Sequence, residues 1–112
     1  MKTVWSGKID DILKDGHYIS GLRAGNWALQ KNEALNALSK FAELQVAVLG
    51  GDVCELLDGV IQYNSDNWEC EQLQGEPNAD FVLRSITKAK EYIENYKSKH
   101  PEKIFFAFVP EV

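Results

Sequence analysis

The sequence predicts a single α+β domain, a small sheet of about four strands with helices packed mainly on one face, in the order α-α-β-β-β-α-β. Three observations lead to this fold. Apolar residues recur at helical spacing at 31–44 and 79–98, whereas shorter runs between and after them are continuous or alternating, as in strands. The last run, at 104–109, is the most apolar. With 112 residues, 45% of them hydrophobic, residues 1–112 suit one domain with one core.

The first two predicted elements are helices. Ser6 is placed to cap a short helix that runs to about Asp15 and is stopped by Gly16. Residues 16–27, rich in glycine and polar side chains, predict a loop. The amphipathic helix at 31–44 then lies on the core.

The middle of the chain changes to strand patterns. A continuous apolar run at 46–49 predicts a strand covered on both sides, and Gly50-Gly51 breaks it before an extended piece at 53–57. A turn signal, Asp58-Gly59, leads to another short strand that a polar turn closes.

Residues 67–73 alternate in character. Trp68 and Cys70 point to one side of a strand, and Glu69 and Glu71 point to the other. We therefore expect the indole ring to pack inward and both carboxylates to face solvent.

The last two predicted elements are the longest helix, at about 79–98, with Asn78 as its cap, and the strand at 104–109. This strand should be interior to the sheet, because an exposed edge of that composition would promote aggregation.

The charge of the chain is unevenly distributed. Residues 41–83 hold no Lys, Arg or His and carry a charge of −9, while the rest carries +4, for a net charge of −5. The acids are Glu43, Asp52, Glu55, Asp58, Asp66, Glu69, Glu71, Glu76 and Asp80. A field of one sign attracts a partner of the opposite sign, but the same composition also suits a solvated acidic face.

Several classes of function are disfavoured by composition and motifs. An acidic chain lacks the basic footprint of nucleic-acid binding, and its apolar runs are far too short for a membrane span. No N-terminal basic stretch runs into an apolar one, so we expect no signal peptide. No catalytic motif, phosphate loop or zinc-ligand spacing is present, so we predict no enzyme activity, no cofactor and no metal. Cys54 and Cys70, each among apolar neighbours, are expected to be reduced and buried.

Gly50-Gly51-Asp52 is the one compact motif. Two glycines after a strand indicate an unusual φ or a close backbone approach, and the aspartate could accept backbone N–H bonds in a bend. A structural role and a functional role both remain open for these residues. Trp27 has the same two interpretations, as a residue that anchors a loop to the core or as an aromatic anchor for a partner.

These motifs together resemble a known family. An Asn-Trp-Ala-Leu sequence at 26–29 precedes a helix, Gly-Gly-Asp at 50–52 follows a buried strand, and Asn-Trp at 67–68 lies on a later strand. In a chain of this length they are similar to the immunity protein 40 family of bacterial polymorphic toxin systems, from about residue 16 to the C-terminus. The resemblance implies a cytoplasmic, non-catalytic protein that binds and neutralises a cognate toxin domain.

The resemblance also gives the acidic segment a purpose. Many such toxins are nucleases, whose active sites are basic, so an acidic face could meet a basic toxin surface. We expect the partner-binding residues to be Asp52, Glu55, Asp58, Asp66, Glu69, Glu71 and Trp27. The alternative is a divalent-metal-binding or metal-dependent enzymatic domain that uses the same oxygen-rich segment. Nothing in the sequence fixes the oligomeric state.

Overall fold

A computed structural model describes residues 4–20 and 25–111 of the protein. Within them lie three α-helices and five strands, which confirms the α+β class with two small sheets instead of one sheet of about four strands. The elements are α1 (Gly7–Leu13), β1 (His17–Ile19), β2 (Asn26–Ala28), α2 (Lys31–Glu43), β3 (Val48–Leu57), β4 (Val60–Glu69), α3 (Asn78–Asn95) and β5 (Ile104–Pro110). A short 3-10 turn, Pro101–Lys103, precedes β5.

The strands form a nearly continuous layer. β4, β3 and β5 make an antiparallel sheet in that order, and β1 pairs with β2 in a second one. Leu29 joins the two sheets: its N–H donates to the Phe106 carbonyl (2.9 Å), and the Phe106 N–H donates to the Leu29 carbonyl (2.7 Å).

The prediction that β5 is interior to its sheet is wrong: β5 is an outer strand of the three-stranded sheet, and β3 is the central one. The outer edge of β5 is nevertheless covered, by the Leu29 bridge and by the Asn26 side chain, which donates to the Phe108 carbonyl at 3.0 Å. The covering residues lie in the predicted loop at 16–27 and just after it. That loop contains β1 and β2, and its residues 21–24 lie outside the described residues.

β3 runs unbroken through Gly50 and Gly51, where the sequence indicated a break. The reason is a close approach to β4. A Cβ on Gly50 would lie 2.4 Å from the Trp68 carbonyl oxygen, and one on Gly51 would lie 2.2 Å from Cη2 of the Trp68 ring. The two glycines therefore let β3 accommodate Trp68 without interrupting the strand.

β4 is likewise one strand instead of two. The polar residues expected to close the first strand form an irregularity in the β3–β4 ladder, where Ser65 has a φ of 76°. β4 ends at Glu69, short of the predicted 67–73. The Asp58-Gly59 turn is confirmed: both residues have positive φ (52° and 80°), which is typical of a type I′ hairpin.

The helices follow the periodic pattern closely. Ser6 caps α1, accepting the Ile9 N–H at 3.4 Å, but the helix ends at Leu13 instead of about Asp15. The predicted cap of α3, Asn78, is instead its first residue, because Pro77 holds the extended capping position. The Asn78 side chain accepts a hydrogen bond from Gln72 at 2.8 Å.

Helices pack on one face of the layer, as predicted. Their apolar residues share a core cluster with Val53, Trp68, Phe106 and Phe108. We call this side the helix-covered face. A separate cluster on the opposite side has no helical member: its residues are Ile19, Ala28, Cys54, Phe105 and Ala107, with Leu56 and Ile61 packed against them. We call that side the helix-free face.

Candidate functional site

A concave surface of about 460 Å³ lies where β3 begins and where β4 and β5 end. Four acidic residues line it and, among the described residues, no Lys, Arg or His does so. We call these four residues the acidic site: Asp52, Glu69, Glu71 and Glu111.

The strand register brings the acidic site together. Gly50 of β3 pairs with Glu69 on one side and with Val109 on the other, so the start of β3 meets the ends of both neighbours. Asp52, two residues after Gly50, lies on the same face of the sheet as Glu69. Trp68 points to the opposite, helix-covered face, where it is 5% exposed.

The Gly-Gly-Asp motif thus divides into two roles. Gly50 and Gly51 serve the fold, because they make room for the Trp68 backbone and ring. The ring stacks on Tyr92 with a centroid separation of 4.7 Å and meets Phe108 edge-on at 6.1 Å. Asp52 does not act as a bend acceptor, because β3 has no bend there. Its carboxylate instead lines the acidic site.

Cations of α3 hold the backbone of the site and leave its carboxylates unpaired. Arg84 donates to the Glu71 carbonyl at 2.5 Å and forms an ion pair with Glu76 at 2.9 Å, and Lys88 donates to the Glu69 carbonyl. The Arg84 hydrogen bonds lower the pKa of Glu76 to about 2. In the part of the chain that the structure describes, no ion pair involves the carboxylates of the acidic site.

Asp52 is the least solvated acid of the site. It is half-buried, and burial raises the pKa of its carboxyl group. None of the hydrogen bonds among the described residues reaches its oxygens. Burial, together with the charge of Asp52, raises the pKa of Cys54 to about 12, so this thiol is protonated at neutral pH. A negative charge here lacks both full hydration and a protein partner, so a cation from outside would stabilise it.

The structure separates the other predicted binding residues from this site. Asp66 accepts a hydrogen bond from the Tyr96 hydroxyl at 2.6 Å, beside α3. Asp58 occupies the hairpin turn, six residues or about 20 Å along β3 from Asp52. Glu55 shares the side of β3 that carries Val53, which is the helix-covered face.

Trp27 is buried in the core, with 8% of its surface exposed. Its indole N–H donates to the Asp10 carboxylate at 3.3 Å, and its ring meets Tyr18 edge-on. Asp10 also accepts the backbone N–H groups of Val4 (2.7 Å) and Trp5 (3.1 Å). The contacts of Trp27 are therefore those of a core residue that stabilises the fold.

The sequence analysis missed Glu111, because this residue lies outside the acidic segment. Its N–H donates to the Ala47 carbonyl at 2.9 Å, which fixes it beside the start of β3. Antiparallel pairing of β5 with β3 was the signal that could have located it, since such pairing places the end of one strand at the start of the other.

Cys54 and Cys70 are buried free cysteines, as expected, and belong to different hydrophobic clusters. Among residues 4–20 and 25–111, no group of three or more His, Cys, Asp or Glu side chains is arranged to hold a metal ion. Within the same residues, none of the helices combines the length and apolar composition needed to cross a bilayer.

Comparison with known proteins identifies the family. The sequence model of the immunity protein 40 family matches residues 18–110, which include the acidic site apart from Glu111. Searches of curated proteins and of solved structures found no match. Because the family match covers most of the chain, this protein belongs to the immunity protein 40 family.

Proposed function

We propose that this protein is a non-catalytic, cytoplasmic immunity protein that binds a cognate bacterial toxin domain and neutralises it through the acidic site. Membership of the family supports the role. The observation that carries the choice of surface is the set of four carboxylates in one concavity with no ion pair among the described residues. The toxin surface that fits this site is basic.

Electrostatics favour such a partner in two ways. A single-signed concavity attracts an opposite charge during diffusion, and it disfavours nucleic acid, whose phosphates carry the same sign. Once a Lys or Arg of the toxin is seated, the half-buried Asp52 gains the countercharge that the free protein lacks. Glu69 and Glu71 are exposed and would contribute chiefly to steering.

Glu55, Asp58 and Asp66 belong to the proposal as secondary contacts. They lie away from the concavity, but an interface of ordinary size covers about 800 Å² on each partner and reaches beyond one pocket. The structure gives Trp27 a place in the core, so we do not assign it a direct contact.

Metal binding is the less supported alternative. The acids are unpaired, but no described group of three or more potential ligands surrounds a common point. The acidic site therefore suits protein cations better than a bound divalent ion.

The decisive experiment is co-expression with the toxin domain encoded beside the gene. We expect Glu69→Lys combined with Glu71→Lys to abolish growth rescue, because it places two cations opposite a basic surface. The comparison variant is Lys97→Glu with Lys99→Glu, a change in charge of equal size and opposite sign on exposed residues outside the site. Full rescue by the site variant at normal abundance would refute the acidic site as the binding surface.

Binding of the purified proteins gives the magnitude. Truncation of a central acid such as Asp52 to Ala is expected to cost about 2–5 kcal/mol, and truncation of a rim acid much less. Association should slow steeply as salt rises. Burial raises the pKa of Asp52 in the free protein, and a toxin cation would lower it. Binding should therefore release a proton and become tighter as pH rises through the titration of Asp52. Asp52→Asn should remove this pH dependence.

A further inference from the structure

The two outer edges of the three-stranded sheet differ, because one is covered and the other is open. β5 is covered on its outer side by Leu29 and Asn26, whereas β4 pairs with β3 and, among the described strands, with no other. Natural proteins usually protect a free edge with Pro, Lys or a bulge. β4 contains neither Pro nor Lys. Its irregularity, between Tyr63 and Asn67, protects only the second half of the strand.

The protected half lies next to α3. There the Tyr96 hydroxyl donates to Asp66 and accepts from the Asn64 side chain at 3.0 Å, and Asn64 in turn accepts the Asp66 N–H. The other half, residues 60–63, is a regular ladder against β3. It is open, with Val60 57% and Tyr63 42% exposed.

The hairpin turn determines which backbone groups of this half face outward. In a two-residue turn the closing pair, Leu57 and Val60, is hydrogen-bonded across the hairpin, and bonded and non-bonded pairs then alternate. Gln62 therefore bonds to Glu55, while Ile61 and Tyr63 direct their N–H and C=O groups away from β3. These four groups have no hydrogen-bond partner among the described residues.

We propose that the outer edge of β4 at residues 60–63 receives an extended segment of the toxin as an added strand, flanked by basic side chains. This rests on the function proposed above. Asp58 and Asp66 stand at the two ends of the open edge, neither in an ion pair with a described residue, and they supply the charge complement to Lys or Arg.

The same charges disfavour a second copy of this chain. Antiparallel pairing of two such edges sets outward-facing residues opposite each other, so Ile61 of one copy pairs with Tyr63 of the other. The same register, centred on Gln62, brings Asp58 of one copy opposite Asp66 of the other. Asp66 then meets a like charge at both ends of the pairing, which is destabilising across strands. A basic partner segment has no such conflict.

The test compares proline with alanine at one position. Tyr63→Pro removes the outward N–H, and proline is tolerated on an edge strand where that group faces solvent. Tyr63→Ala removes the same side chain and keeps the N–H. We expect the proline variant to bind the toxin domain about tenfold more weakly than the alanine variant, by calorimetry, because a main-chain hydrogen bond is lost. Equal affinities of two folded variants would overturn the proposal.

Amide hydrogen exchange of the wild type makes the test independent of how the variants fold. The N–H groups of Ile61 and Tyr63 should exchange quickly in the free protein and become protected in the complex, whereas Gln62 should be protected in both. Unchanged exchange at Ile61 and Tyr63 in a formed complex would overturn the added strand and leave the proposed function intact. A wild type that binds no toxin domain would overturn both. A dimer of the free protein that Tyr63→Pro dissociates would identify a second copy as the occupant and also overturn the proposal.

Discussion

Trp68 and Glu69 are neighbours in the chain but belong to two different regions of the molecule. Trp68 lies on the helix-covered face, 5% exposed and enclosed by Gly51, Tyr92 and Phe108. Glu69 is exposed, lines the acidic site, and its carboxylate has no ion pair within the described residues. β4 therefore carries a residue held by packing, Trp68, next to a residue whose side chain forms no ion pair within the described residues, Glu69.

The difference shows how a small domain separates folding from binding. On the helix-covered face, each aromatic ring is packed closely against its neighbours, so substitution there should lower the free energy of unfolding. At the acidic site, the contacts of the fold are made by backbone carbonyls, as in the bonds from Lys88 and Arg84, and the side chains are free to meet a partner. Stability and binding should respond to different residues of the same strand.

The largest expected effect is on stability at Trp68. Trp68→Ala should lower the free energy of unfolding by about 3–5 kcal/mol, because it leaves a cavity between Tyr92 and Phe108. Glu69→Ala, the matched change one residue away, should alter it by no more than about 0.5 kcal/mol. Chemical denaturation of the three proteins measures both values.

Trp68→Phe is a useful intermediate variant. The Trp68 indole N–H is buried and has no acceptor among the described residues, so phenylalanine sacrifices no hydrogen bond there. It should cost less than the alanine variant. If Trp68→Ala and Glu69→Ala proved equally mild, the assignment of the two faces of β4 would be wrong.

A smaller effect is expected at Gly51. Gly51→Ala places a methyl group where the Trp68 ring lies, so overpacking should cost about 1–3 kcal/mol. Gly7→Ala is the control, since its Cβ would meet nothing within 4 Å and the residue is helical; it should be neutral or stabilising.

A double-mutant cycle sharpens this point. If Gly51 is small because of the Trp68 ring, removing the ring should relieve the strain, and Gly51→Ala should cost less in a Trp68→Ala background. Additive costs in the two backgrounds would show that Gly51 is required for another reason.

The smallest effect concerns pH and the loop that carries Glu71. Arg84 lowers the pKa of Glu76 from an ordinary 4.5 to about 2. The ionised pair therefore contributes its full stabilisation above the ordinary pKa and loses it as pH falls toward about 2. The melting temperatures of wild type and Glu76→Gln should differ at neutral pH and converge across that interval. A constant difference down to pH 2 would show that the pair does not supply the stability.

The sequence predicted those parts of the fold that depend on local periodicity. The patterns at 31–44 and 79–98 became α2 and α3, and alternation placed Trp68 inward and Glu69 outward. It failed where distant residues decide. Gly50-Gly51 looked like a break because the two glycines make room for a ring on another strand. β2 was not predicted, because its position depends on the bridge from the following residue, Leu29, to the distant Phe106.

The candidate site was predictable in part for the same reason. The segment without basic residues contains Asp52, Glu69 and Glu71, which the structure brings into one concavity, but proximity in sequence gave no sign that Asp58 and Asp66 lie outside it. Strand pairing sends those two acids to other parts of the hairpin and brings Glu111 into the concavity from the far end of the chain.

The N-terminal helix completes the core, although it lies before the region that the family model matches. The family match begins at residue 18, yet α1 contributes Ile9, Ile12 and Leu13 to the main core. Asp10 also supplies the acceptor for the indole N–H of Trp27, inside the matched region. A fragment limited to the shared region would expose apolar surface and leave that buried donor unsatisfied.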